Sequence, residues 1–126
     1  MTILIAEDDW FHAEVLTERL QAHNEGAKIV LATSEKDFKR KFEAMDKAVL
    51  SMILLDQMLP WTDEADSDPF TGAPAEGPLR AGSRCYEFVR NDAGGKTVPV
   101  VFFTNLDKSP FRVKLRTTFK SGPIRA

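Results

Sequence analysis

Four short apolar runs punctuate the chain: ILIA at 3–6, KIVL at 28–31, VLSMILL at 49–55 and VPVVFF at 98–103. Each has strand length, and their near-continuous apolar character suits parallel strands covered on both faces. Pro99 sits near the start of its run, where a strand tolerates it. The stretches between them change to helical spacing. Over 10–24, Val15, Leu16 and Leu20 fall on one face while Glu18 and Arg19 point elsewhere, and Gly26 supplies a stop. Asp8 or Asp9 is placed to cap that helix. Ser34 reads as the N-cap of a second helix, with Asp37 where a capping box prefers Glu or Gln. Phe38, Phe42 and Met45 follow at i, i+4 and i+7. A third helical pattern covers 84–90, with Cys85, Phe88 and Val89 apolar, and ends at Asp92, Gly94 and Gly95. Strand and helix alternate, so the predicted class is α/β with a parallel sheet.

Two stretches break the pattern. Residues 61–83 have no apolar period and are rich in proline, glycine and acids. A connection that long is uncommon in a compact domain, and it reads as an inserted surface loop. The sharper alternative is a partner-binding loop anchored by Trp61 and Phe70. After 105, alternation over 112–116 allows a strand, a short helix being the other reading, and 120–126 is too short for an ordinary helix. The second helix carries a basic face of Lys36, Lys39, Arg40 and Lys41, predicted to be solvated.

Composition narrows the classes. The 126 residues suffice for one domain, 1–126, with a real core. A net charge of -2 offers nothing to nucleic acid or an anionic membrane. The single cysteine, Cys85, excludes an internal disulfide and reads as a small packing residue, which fits a cytoplasmic location. The start has no signal-peptide pattern, and no apolar run approaches the roughly 20 residues of a membrane span.

Candidate chemistry lies where the apolar runs end. The first discharges into Glu7, Asp8 and Asp9, the third into Asp56, and the fourth into Thr104 and Asn105. Open α/β sheets bind ligands outside the carboxyl ends of their strands, and in a doubly wound sheet strands one, three and four are neighbours. Each acid also has a structural reading: Asp56 as a turn residue before Pro60, Glu7 and Asp8 as helix-capping groups. Converging carboxylates cannot all stay ionised without a cation. A hard divalent ion such as Mg²⁺, keeping several waters, suits few carboxylates and an open site. Such a pocket then accepts a phosphoryl dianion, with Asp56 placed for in-line attack and Thr104 and a lysine ammonium for its oxygens. His12 and His23 read as surface groups too far along the first helix to join. No spacing supports a Ser/His/Asp or Cys/His site.

The motifs ILIAEDD at 3–9, ILLDQMLP at 53–60 and VPVVFFTN at 98–105 resemble those of response-regulator receiver domains. The likeness covers residues 2–105 apart from the 61–83 insertion, which falls between the third strand and third helix. It implies a flavodoxin-like, doubly wound parallel sheet of order 2-1-3-4-5. It further implies Asp56 as the phosphoacceptor, with Glu7, Asp8, Asp56 and the Met58 carbonyl as Mg²⁺ ligands and Asp9 as the lesser candidate. Thr104 would be the switch hydroxyl and Lys120 the conserved lysine, with Lys108 as its rival. The chain departs from the family pattern in having no Lys-Pro pair and little room for a fourth or fifth helix. The region that normally forms the output surface is therefore expected to be shortened or remodelled. The implied function is a stand-alone module phosphorylated by a histidine kinase or phosphotransfer protein, with output by contact with a downstream protein. Its own catalysis would be limited to self-phosphorylation and slow acyl-phosphate hydrolysis, and uncovered surface at the C-terminal region would favour a homodimer. The alternative is a protein-binding module of the same fold that is never phosphorylated. A flavin carrier is disfavoured, because its first loop should offer hydroxyls and N–H groups rather than three acids.

Overall fold

The computed structural model describes residues 1–62, 74, 77 and 80–105, with Thr104 and Asn105 as backbone only, and the backbone of 115–119. The elements run β1 (Thr2–Ala6), α1 (Trp10–His23), β2 (Lys28–Ala32), α2 (Glu35–Ala44), β3 (Leu50–Asp56), α3 (Ala81–Asn91), β4 (Val100–Asn105) and β5 (Leu115–Phe119). A single 3-10 turn, Ala93–Gly95, separates α3 from β4.

One sheet carries all five strands in the order β2-β1-β3-β4-β5. The first four are mutually parallel, as the apolar runs predict, and their order is compatible with a flavodoxin-like fold. Alternation along each strand divides the core. Leu4, Ala6, Ile53, Leu55, Val100 and Phe102 pack with Phe38 and Phe42 of α2 and Cys85 and Val89 of α3. Ile3, Ile5, Leu54, Val101 and Phe103 form the other face, against which Leu16 and Leu20 of α1 pack. Burying each such aliphatic side chain contributes about 1.5–3 kcal/mol relative to exposure.

β5 corrects an expectation. The resemblance implies a parallel fifth strand, but β5 runs antiparallel to β4, with Val101 opposite Phe119 and Asn105 opposite Leu115. An antiparallel neighbour needs no helical crossover, which accommodates a connection of only nine residues, 106–114. The fifth strand therefore begins at the carboxyl edge of the parallel strands and ends at their amino edge.

Local sequence sets the helix ends. The Asp9 side chain accepts the N–H groups of Phe11 and His12 and starts α1. Gly26, at φ +82°, turns the chain into β2 in a conformation that a side chain would strain. Ser34 Oγ accepts the Asp37 N–H at 3.0 Å. The shorter Asp37 side chain completes the box one residue further out, accepting from the Thr33 N–H at 3.2 Å. α3 begins at Ala81, inside the stretch expected to be loop. Among the described residues, no helix is long and apolar enough to cross a membrane.

Candidate functional site

Strand register builds the site. Ala6 of β1 pairs with Leu55 of β3 in a parallel ladder. The next residues, Glu7 and Asp56, therefore leave adjacent strands side by side. The ladder continues through Glu7, whose N–H donates to the Ala32 carbonyl at 3.0 Å. Carboxylate oxygens of Glu7, Asp8 and Asp56 all lie within 4.8 Å of one another. Glu7 is 2% exposed and Asp56 8% exposed, while Asp8 faces solvent. The pocket is thus a buried pair of acids with an exposed third at its mouth.

Its hydrogen bonding is incomplete in an informative way. Glu7 Oε1 accepts the Asp9 N–H at 3.2 Å, and Asp56 Oδ1 accepts the Met58 N–H at 3.1 Å. Glu7 Oε2 is buried and has no hydrogen-bond donor. Two carboxylates facing each other are acceptors without a donor, so only a proton or a cation can join them. Burial, then hydrogen bonding to and charge repulsion from Asp56, then the charge of Asp8, push the Glu7 carboxyl up to about 9; the Asp9 N–H opposes this. At neutral pH Glu7 therefore holds a proton unless a cation replaces it. An all-oxygen set of three carboxylates fits a hard divalent cation.

The backbone around Asp56 is braced from α3. A Cβ on Gly82 would lie 2.6 Å from the Asp56 carbonyl oxygen and 2.7 Å from Gln57 Cα. Only glycine permits that approach, and its N–H donates to the Gln57 carbonyl at 3.0 Å. Gln57 Nε2 donates to Ser83 Oγ at 2.9 Å. Beyond Met58 the chain turns back, so that the carbonyls of Pro60 and Trp61 accept the N–H groups of Glu35 and Lys36 at the start of α2. Glu35 is fully buried and receives a bidentate clamp from Arg84 Nε and Nη2, at 2.8 and 2.7 Å. Lys39 Nζ adds a third contact at 3.1 Å. Arg84 also donates to the Gly77 carbonyl, tying the end of the inserted stretch to the same post.

Several sequence expectations can be placed. Met58 is half-buried two residues past Asp56. Thr104 lies one residue beyond Phe103, the pairing partner of Asp56, so its backbone reaches the same edge of the sheet; its side chain lies outside the described residues. Lys108, Lys120 and Phe70 also lie outside the described residues. Trp61 is half-buried, with Lys39 Nζ 5.6 Å from its ring centre. Cys85 is fully buried on α3, its thiol pushed up to about 12 by burial and by Glu35.

Other expectations need correction. His12 is not remote from the acids: its Nδ1 lies 3.6 Å from Glu7 Oε1 and 3.9 Å from Asp9 Oδ2. The signal was available, since a residue in the first turn of a helix capped by Asp9 leans back over the strand that precedes it. The basic face of α2 is only half solvated. Lys36 and Arg40 are exposed, but Lys39 closes on Glu35, and Lys41 binds Asp37 and the Leu31 carbonyl. The i,i+4 spacing of Glu35 and Lys39 hinted at this; nothing local announced Arg84 as the partner of Glu35.

Fold and site together define an α/β protein whose parallel strands gather an acidic pocket, able to bind a metal ion, at their carboxyl edge. Set against known protein families and curated proteins, the chain matches none.

Proposed function

We propose that the chain is a receiver-like module that accepts a phosphoryl group on Asp56 from a histidine kinase or phosphotransfer protein in the cytoplasm. The observation that carries this reading is the meeting of Glu7, Asp8 and Asp56, with a donorless buried oxygen on Glu7, at the ends of adjacent parallel strands.

Mg²⁺ is the cation that this donor set and the sequence resemblance favour, held by Glu7, Asp8, Asp56 and the Met58 carbonyl; bound there, it supplies charge neutralisation for an incoming phosphoryl dianion. Met58 N–H engages Asp56 Oδ1, which leaves Oδ2 as the attacking oxygen. Asp56 Oδ2 forms a bond to phosphorus as the bond to the donor's leaving group breaks, and the leaving group departs with the electron pair. The product is an aspartyl phosphate, lost later to water. Thr104 provides the hydroxyl for a phosphoryl oxygen. The polarity of β5 favours Lys108, three residues past the end of β4, over Lys120 as the ammonium partner. Output then runs through contact with a downstream protein.

The test is labelling with a small acyl phosphate, read by intact-mass spectrometry. Wild type gains one phosphoryl group in the presence of Mg²⁺ and none in chelator, and Asp56→Asn gains none. A wild type that stays unlabelled with donor and Mg²⁺ overturns the chemical reading.

The antiparallel β5 favours a second reading, a receiver-like binding module that is never phosphorylated, because it remodels the edge from which phosphorylation is read out in the family. Under that reading Mg²⁺ binding and labelling are both absent while partner capture is unaffected by Asp56→Asn.

A further inference from the structure

Glu7 belongs to two clusters. Besides the pocket with Asp8 and Asp56, its carboxylate lies within 4.8 Å of ligand atoms on Asp9 and His12. We propose that Glu7, Asp9 and His12 form a second cation subsite, for a borderline divalent ion of the Zn²⁺ class. It shares Glu7 with the pocket of the proposed function but does not depend on phosphoryl chemistry.

The geometry is that of ligands around an ion rather than of direct bonding. His12 Nδ1 stands 3.6 Å from Glu7 Oε1 and 3.9 Å from Asp9 Oδ2. Both separations exceed a hydrogen bond. Zinc–nitrogen and zinc–oxygen bonds of about 2.0–2.2 Å around a tetrahedral ion put neighbouring ligand atoms about 3.3 Å apart. The third separation, Glu7 to Asp9, is no more than 4.8 Å, so side-chain movements of at most about 1.5 Å would bring these atoms onto one ion.

The set is also pre-oriented. Asp9 Oδ1 is occupied by the N–H groups of Phe11 and His12, at 2.9 and 3.2 Å. That cap fixes the carboxylate and aims its other oxygen at His12, the kind of supporting contact that orients metal ligands. Glu7 is 2% exposed and presents to His12 its Oε1, which also accepts the Asp9 N–H at 3.2 Å. Three protein ligands leave a fourth position for water, the form of an open zinc site. The imidazole nitrogen distinguishes this subsite from the all-oxygen pocket beside it, because nitrogen ligands favour Zn²⁺ and its neighbours over Mg²⁺.

The experiment is a calorimetric Zn²⁺ titration of wild type, His12→Gln, Asp56→Asn and His23→Gln, with circular dichroism as the control for folding. Zn²⁺ affinity is expected to fall at least tenfold in His12→Gln and to change by less than that in His23→Gln, while Asp56→Asn, which alters the neighbouring pocket and the charge beside Glu7, keeps the His12 dependence. Imidazole nitrogen NMR of wild type gives a second, mutation-free reading: Zn²⁺ shifts the His12 Nδ1 resonance and not that of His23. Equal Zn²⁺ affinity in wild type and His12→Gln, or an unshifted His12 resonance, overturns the subsite. A parallel Mg²⁺ titration of wild type separates the two ideas. Zn²⁺ bound through His12 without any Mg²⁺ binding sustains the subsite and removes the phosphoryl reading; the reverse sustains the Mg²⁺ pocket alone.

Discussion

At the scale of single residues, Glu7 concentrates the electrostatic conflict of the molecule. Its carboxyl is raised from 4.5 to about 9 by burial and by Asp56. Between those values the folded chain keeps a proton that the unfolded chain has released, so the metal-free fold loses stability as pH rises through that window. A divalent cation displaces the proton, so apparent Mg²⁺ affinity should climb with pH over the same window; an affinity flat in pH would contradict this. Glu7→Gln gives the sharpest contrast. Its amide supplies a donor without the proton that the buried acid must take up on folding, so the metal-free protein should gain about 1–2 kcal/mol at neutral pH in urea unfolding while losing Mg²⁺ binding. Asp37 shows the opposite sign. Burial alone would raise its carboxyl, but Lys41, the Thr33 N–H and Arg40 outweigh burial and hold it below 3.8. Its contribution is present above the ordinary carboxylate range and is lost as pH falls below it. Asp37→Ala should cost about 1–3 kcal/mol at neutral pH and less in acid.

At the scale of elements, the post made by Glu35, Arg84 and Lys39 holds α3 against the start of α2, and α3 in turn carries Gly82 against Asp56. Arg84 supplies two of the three contacts to the buried carboxylate. Arg84→Met should therefore cost about 3 kcal/mol in thermal or urea unfolding, and Lys39→Met no more than about 1 kcal/mol. Gly82→Ala should cost about 1–3 kcal/mol through overpacking against Asp56 and Gln57, and should weaken Mg²⁺ binding more than an equally destabilising change elsewhere. The four parallel strands, the cap at Ser34, a cap for α1 from Asp8 or Asp9 and the meeting of Glu7 with Asp56 were legible in the sequence, because period, capping chemistry and strand ends are local signals. The Glu35–Arg84 clamp was not, because it joins residues far apart in the chain across a stretch without periodicity. The polarity of β5 was hidden for a related reason: alternation identifies a strand but not its direction. His12 was misplaced because spacing along the helix was weighed without its tilt back toward β1.

At the scale of the whole molecule, parallel strands place their polar ends at one edge of the sheet, and the core faces hold that edge in register. β5 runs antiparallel to β4 at that edge, an arrangement that does not require the helical crossover of a parallel strand. The account predicts that Mg²⁺ raises thermal stability of wild type, since an ion bound only by the folded state stabilises it by mass action. The most direct test of the central claim, that Glu7, Asp8 and Asp56 share one hard cation, is a calorimetric Mg²⁺ titration of wild type and Asp56→Ala. The account predicts one bound Mg²⁺ in wild type and an affinity at least tenfold weaker in the variant. No heat in wild type, or the same isotherm in both proteins, would contradict it.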